Sequence, residues 1–181
     1  SKVLIDHHLN PERFAEYELW DSNASSTCEL IYDFIQLFES PEKINKDIGE
    51  CIYAGMMTDT GSFRFPSTSK HVHVIIAHLM DIGIDHSKVH RLIYDNNSES
   101  RLRLLGYCLS EKLEVIPEHY TAYITLSLKD QLKFNTQNGD TEGVVNYALS
   151  MNGILFAAII KESPEGYNKM SFRSKGNFPA N

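Results

Sequence analysis

The sequence is poor in the features that mark a secreted or membrane-bound chain. Only three of its 181 residues are cysteine: Cys28, Cys51 and Cys108 are widely spaced, odd in number and without a C-x-x-C pair, so they offer no disulfide framework. Each lies in an apolar pattern and is expected to be a buried, reduced thiol. No stretch approaches the roughly 18 apolar residues that a membrane span needs. The opening Ser1-Lys2-Val3-Leu4-Ile5 runs straight into an apolar segment without a charged leader, signal core or cleavage site, so the expectation is a cytoplasmic protein with no membrane association. Positive charge is also scarce: 17 Lys and Arg stand against 24 Asp and Glu, a net charge of −7. That balance argues against a general binder of long duplexes, which presents a broad basic face. A small anionic substrate remains compatible with it where a few Arg and Lys converge.

The polar and apolar pattern divides the chain. Val3-Leu4-Ile5 reads as a buried strand emptying into a polar tip, Asp6-His7-His8, with regular structure stopped by Pro11. Ser26 and Glu29 form a capping box ahead of Leu30, Ile31, Phe34, Ile35 and Phe38, which predicts a helix ending near Pro41. A second helix is expected from about Asn45 to Met57, with Ile48, Cys51, Ile52 and Met56 on its apolar side. Val72, Ile75, Ile76, Leu79 and Met80 mark a third, stopped by Gly83. Two more are expected over 85–94 and 99–109, each behind an Asp or Ser cap. Near Leu113 the texture changes to strands over 113–116 and 120–126 around a Pro117-Glu118 turn, a short helix capped by Ser127, and a helix over 144–151. A hairpin over 154–160 and 169–173 follows. The expected fold class is α/β: a helix-rich part of a parallel-sheet domain over 1–107, a linker over 108–118, and a smaller α+β domain over 119–181.

Two segments carry chemistry. Asp6-His7-His8 sets a carboxylate and two imidazoles at a strand end, where open α/β sheets place their sites. One imidazole nitrogen can bind a divalent metal while the other is held by a carboxylate or carbonyl, and the second His is then free to meet a phosphate. Read alone, the pair fits a structural polar turn equally well; the apolar approach favours a site. In Thr58-Asp59-Thr60-Gly61-Ser62-Phe63-Arg64, an Asp past an apolar helix and before a Gly reads as a fixed carboxylate on a tight turn, with Arg64 near enough to meet an anion. A solvated helix C-terminus is the alternative. Mixed imidazole and carboxylate ligands suit Mn, Fe or Zn better than Mg or Ca.

These segments, with Ser25-Ser26-Thr27-Cys28-Glu29 between them and Phe65-Pro66 after them, resemble in order and approximate spacing the third and fourth motifs of the DHH phosphoesterases. Gly143-Val144-Val145-Asn146-Tyr147 and Ser171-Phe172-Arg173-Ser174-Lys175 resemble the DHH-associated substrate-binding domain. The resemblance covers essentially the whole chain and points to the small bacterial oligoribonucleases that also remove the 3′-phosphate of 3′-phosphoadenosine 5′-phosphate. It implies that His7 and Asp59 are ligands of a two-Mn2+ centre, that Asp6 supports them from behind, and that His8 contacts the scissile phosphate. It further implies that Arg173, with Ser174, grips a second phosphate or the terminal group of the substrate across an interdomain cleft; Arg64, close in sequence to Asp59, joins them as an expected phosphate contact. The partners it implies are short RNA oligonucleotides and 3′-phosphoadenosine 5′-phosphate, with a homodimer left open.

Departures from the family pattern accompany the likeness. The family's first two motifs, which carry further aspartates, and a Gly-Gly-Gly-His segment after the position of Arg173 are not in the sequence, so these 181 residues alone are expected to be inactive. Cleavage of cyclic dinucleotides or their linear products, and nucleotide binding without catalysis, stay open as rival readings. His71, His73, His78, His86 and His90 invite a metal reading but supply no general base after His86, and solvated or capping roles are expected. Met56 and Met57 are expected in the core, as are Tyr147 and Phe172. Arg101, Arg103 and Lys112 are expected on a solvated helix face rather than in a basic patch.

Overall fold

The computed structural model describes residues 1–38, 44–176 and 178. It confirms an α/β chain, arranged in two compact units, Ser1–Asn96 and Asn97–Asn181.

In the first unit, strand β1 (Val3–Asp6) pairs in parallel with β2 (Tyr17–Trp20), Asp6 opposite Trp20. The connection over residues 7–16 holds no helix, whereas most parallel crossovers carry one. β1 is not the buried strand expected from its apolar run: Val3 is 57% exposed and the remaining three residues are half-buried. Among the described residues it has a strand on one side only, so its faces lack the cover that a central parallel strand receives.

Helix α1 (Thr27–Gln36) starts where Ser26 caps the Glu29 N–H. The expected capping box is altered in one bond: the Glu29 carboxylate accepts the N–H of Ser25 rather than that of Ser26. α1 ends at Gln36, one turn before the expected stop, and Pro41 lies outside the described residues. Helix α2 (Lys46–Asp59) begins at the Asn45 cap. Its buried stripe is Gly49, Ile52, Tyr53, Met56 and Met57, a true i, i+3, i+4 repeat. Ile48 and Cys51, expected on that face, are exposed. Burial is therefore the exception among the thiols, with Cys28 half-buried and Cys108 alone fully buried. α1 and α2 approach closely at Gly55, where a Cβ would come within 2.2 Å of Cys28 Sγ.

Helices α3 (Lys70–Asp81) and α4 (His86–Tyr94) complete the unit, capped by Ser69 and Asp85. Val72, Ile75, Ile76 and Leu79 of α3 share one core with Ile52, Tyr53, Met56 and Met57 of α2 and Val89 of α4. Deleting a side chain such as Met56 or Met57 from such a core costs about 2–5 kcal/mol.

The second unit opens with α5 (Glu99–Tyr107), then a π-helical turn over Cys108–Lys112 and β3 (Leu113–Ile116). Leu104 and Cys108 are fully buried in this unit's core, so the contact boundary falls at Asn96 and Asn97, ahead of the textural change at 108–118. The sheet runs β3, β4 (Thr121–Leu126), β5 (Phe156–Glu162), β6 (Asn168–Ser174). β4 and β5 are parallel and the outer pairs antiparallel. The parallel step is bridged by α6 (Leu128–Lys133), with a full Ser127 and Asp130 capping box, and by α7 (Val144–Ser150). Val144, Val145 and Ala148 of α7 cover Ala122, Ile124, Ala157 and Ile159 on one sheet face. Tyr147 and Phe172, expected in the core, lie outside it, 52% and 40% exposed. Tyr147 falls off the buried stripe of α7, and Phe172 pairs with Ala158 in register, on the opposite sheet face from Ala157 and Ile159.

Candidate metal and phosphate site

The residues with metal-ligand chemistry gather at the polar tip of the first unit. β1 ends at Asp6, and its carboxylate turns the chain: Oδ1 accepts the His7 N–H at 2.8 Å and the His8 N–H at 3.2 Å, and meets His8 Nδ1 at 2.6 Å. The His8 ring and backbone bonds hold the Asp6 carboxyl below the usual carboxylate range against the opposing effect of burial. Trp20, opposite Asp6 in β2, donates its indole N–H to the His8 carbonyl at 2.7 Å. The tip is thus pinned from two strands, and Asp6 supports His8 at least as much as His7.

His7 points the other way. Its Nδ1 lies 3.3 Å from the Ala24 carbonyl, just ahead of α1. A carbonyl only accepts, so this contact makes Nδ1 the donor, and in the neutral ring the lone pair then lies on Nε2. Nε2 lies 3.7 Å from Asp59 Oδ2. Ligand bonds of about 2.0–2.2 Å, as at zinc, allow two donors of one ion to lie up to roughly 4.2 Å apart. A tautomer fixed by a carbonyl and a carboxylate at that spacing fit two ligands of one divalent ion. Among the described residues no group of three or more His, Cys, Asp or Glu side chains is placed to hold a metal ion, and His7 and Asp59 are the two that could share one here.

Asp59 was expected on a tight turn past the helix and instead forms the last residue of α2, its side chain 46% exposed. The turn follows it. Gly61, Ser62 and Phe63 have φ of 57, 60 and 64 degrees, three successive left-handed residues, a conformation costing roughly 1–2 kcal/mol per non-glycine residue. Gly61 is required twice over, since a Cβ there would lie 2.6 Å from the Phe65 ring. Arg64 leaves this turn exposed, with Nε donating to the Gly61 carbonyl at 2.8 Å.

Arg173 and Ser174 sit at the end of β6 in the second unit, opposite Ala157 and Phe156. Arg173 is exposed, one guanidinium nitrogen donating to its neighbour's carbonyl, Phe172 O, at 2.8 Å. Three of the other histidines are engaged by side chains rather than by solvent or caps alone. His78 bonds the Tyr32 hydroxyl at 2.6 Å, His90 the Tyr53 hydroxyl at 3.0 Å, and His71 the Asp33 carboxylate at 2.8 Å. Arg103 pairs with Glu99 along α5, Arg101 reaches the Glu142 carbonyl, and Lys112 is bound to Asp130, which leaves no basic patch from these three. Ala24 and Trp20 carry no sequence signal as site residues, the one acting through its carbonyl and the other through a bond to backbone; Thr60 lies within the Asp59 segment but is marked there for no role of its own.

Residues 1–56 match the family model described as the DHH family, N-terminal domain. The probable bifunctional oligoribonuclease and PAP phosphatase NrnA of Streptococcus mutans is 29% identical over 96% of this chain and 54% of its own length. The bifunctional oligoribonuclease and PAP phosphatase NrnA of Bacillus subtilis is 27% identical over 96% of this chain and 55% of its own. The chain therefore spans about half the length of these curated relatives. A crystal structure described as an exopolyphosphatase-related protein from Bacteroides fragilis matches with a TM-score of 0.93 at 41% identity, covering 99% of this chain and 52% of that one. No helix among the described residues is long and apolar enough to cross a membrane. Residues 1–56 thus carry the DHH family's N-terminal domain, and nearly the whole chain is similar to about half of relatives described as bifunctional oligoribonucleases and PAP phosphatases.

Proposed function

We propose that the protein containing this chain is a Mn2+-dependent phosphoesterase that releases mononucleotides from very short oligoribonucleotides and removes the 3′-phosphate of 3′-phosphoadenosine 5′-phosphate. The observation that carries the reading is the 3.7 Å approach of His7 Nε2 to Asp59 Oδ2 with His7 Nδ1 held on the Ala24 carbonyl. The substrate pair follows the names of the relatives from Streptococcus mutans and Bacillus subtilis. Bound at such a pair and further ligands, a divalent ion supplies an activated water and neutralises charge on the phosphoryl oxygens.

In this reading His7 and Asp59 hold the metal. Asp6 fixes the tip and keeps the His8 ring oriented through Nδ1, leaving His8 Nε2 to meet the scissile phosphate. His8, with its side chain 77% exposed, is free to be approached by a ligand. Arg64 faces a substrate oxygen with the guanidinium nitrogens not used on Gly61. Arg173 and Ser174 serve phosphate capture on the second unit, where a planar guanidinium gives paired, charge-assisted hydrogen bonds.

The test is an assay of the full-length protein with Mn2+ against a trinucleotide, 3′-phosphoadenosine 5′-phosphate and a cyclic dinucleotide. Turnover of the first two, lost on chelation and restored by Mn2+, is the expected result. Preference for the cyclic dinucleotide would replace this reading with a cyclic-dinucleotide phosphodiesterase. Binding without turnover would replace it with a nucleotide-binding module.

A further inference from the structure

We infer that Thr60 is a positioning residue that locks Asp59 and Arg64 onto one rigid turn, so that the metal-facing carboxylate and the phosphate-facing guanidinium keep a fixed spacing. The inference rests on the functional reading above for the roles of those two residues.

Asp59 is flanked by two threonines of the same chemistry and opposite placement. Thr58 is exposed, and its hydroxyl returns to the Gly55 carbonyl within its own helix. Thr60 is completely buried, and all its polar groups are engaged. Its N–H and its hydroxyl both donate to the Met56 carbonyl, at 3.1 and 2.7 Å, closing the last turn of α2 around Asp59. The same hydroxyl accepts the Phe63 N–H at 2.9 Å. Its carbonyl accepts the N–H groups of Arg64 and Phe65, each at 3.0 Å. One side chain therefore joins the end of the helix that carries Asp59 to the left-handed turn that carries Arg64.

That turn needs the support. Phe63 is bulky and held at φ of 64 degrees, a region such residues occupy only when their surroundings enforce it. Its ring packs against Tyr53, 5.5 Å between centroids, and its N–H has the Thr60 hydroxyl as partner. Removing the hydroxyl strands a half-buried N–H at the strained residue, and relaxation of the turn moves Arg64 relative to Asp59. The strain is thus tied to placement of the site rather than to packing alone.

The experiment uses the full-length protein and reads Mn2+ affinity by titration, steady-state kinetics on 3′-phosphoadenosine 5′-phosphate, and amide exchange at Phe63. Thr60→Val keeps the shape and removes the hydroxyl. It is expected to lose Phe63 protection, weaken Mn2+ binding and raise KM, each of the last two by roughly 10- to 100-fold, as when supporting groups around metal ligands are removed. Thr60→Ser, which keeps both hydroxyl bonds, is expected to restore all three to within a few-fold of wild type, and Thr58→Val to leave them unchanged. Should Thr60→Val not fold, Thr60→Ala removes the same hydroxyl with the same expectations. A folded hydroxyl-less variant with lowered thermal stability but wild-type Mn2+ affinity and KM overturns the inference and leaves the functional reading standing. A wild-type protein with neither Mn2+ affinity nor Mn2+-dependent hydrolysis overturns both.

Discussion

His7 Nε2 lies 3.7 Å from Asp59 Oδ2, bringing the end of a strand and the end of a helix to one point. The two residues are positioned by different means: His7 by a carbonyl at Ala24, Asp59 by the capped last turn of α2. If they share an ion, removing either should abolish tight Mn2+ binding. In the full-length protein, His7→Ala and Asp59→Ala are each expected to lower Mn2+-dependent turnover by more than ~100-fold, beyond the 10- to 100-fold typical of a supporting group. Circular dichroism should show both folded. Near wild-type turnover at saturating Mn2+ in either variant removes that residue from the ligand set.

Arg173 stands on β6 of the second unit and commits only one guanidinium nitrogen in the bonds seen, to a backbone carbonyl. A residue that captures a phosphate away from the reacting atoms contributes alike to ground and transition states, which is read in KM rather than kcat. Losing a hydrogen bond to a charged group costs about 1.5–3 kcal/mol, so Arg173→Ala is expected to raise KM for 3′-phosphoadenosine 5′-phosphate by roughly 10- to 100-fold with kcat little changed. A large fall in kcat at constant KM would instead place Arg173 at the reacting phosphoryl group.

The parts of this architecture legible in the sequence are those in which one strip of residues is buried by one neighbour. Val72, Ile75, Ile76 and Leu79 announce α3 and its buried face because only one face of α3 meets the core. α2 misleads for the converse reason. Ile48 and Cys51 are as apolar as the residues that pack, and the choice of Tyr53 and Met57 over them is made by α1, α3 and α4, not by periodicity. The sequence does not announce β2 because the strand buries no side chain: Tyr17, Glu18 and Trp20 are exposed and Leu19 is only half-buried, so no apolar face marks it. At the site, the residue types of His7, His8, Asp6 and Asp59 were visible, and the family resemblance supplied their grouping. The fixing contacts were not visible, because Ala24 acts through its carbonyl and Thr60 through a hydroxyl shared between two backbone segments.

Asp130 offers a pH test of the second unit that is independent of the site. Burial works against its charge, yet hydrogen bonds from Tyr107, Ser127 and Lys112 outweigh that and hold its carboxyl far below the usual carboxylate range. A carboxyl depressed on folding stabilises the native state above its unfolded pKa of about 3.9, and the contribution is lost as pH falls toward the folded value. Denaturant unfolding of the second unit, followed from pH 7 down to about pH 2, should therefore show stability falling below about pH 4. Asp130→Asn should lower stability at neutral pH and flatten that acid limb. An unchanged limb in the variant would assign acid sensitivity to other carboxylates.

The chain of 181 residues makes a final prediction about metal affinity, and it follows from the donor count. A first-row ion in nitrogen and oxygen surroundings fills four to six positions, and tight binding comes from protein ligands occupying most of them. Among the described residues His7 and Asp59 form a pair with no third His, Cys, Asp or Glu placed to join them, so water must take the remaining positions on an ion bound there. Two ligands on pre-positioned elements give weak but site-specific binding, for which a Kd on the order of 0.1–1 mM, about 4–5.5 kcal/mol, is expected. The chain has a single tryptophan, and Trp20 donates to the His8 carbonyl at this tip, so paramagnetic Mn2+ should quench its fluorescence along the binding curve. His7→Ala should abolish the quenching while Arg173→Ala, in the other unit, leaves it intact. Mn2+ retained stoichiometrically through dialysis by the 181-residue chain would show that further side chains complete the site, with Asp21, which follows Trp20 and bonds back to the Asp6 carbonyl, the first to replace.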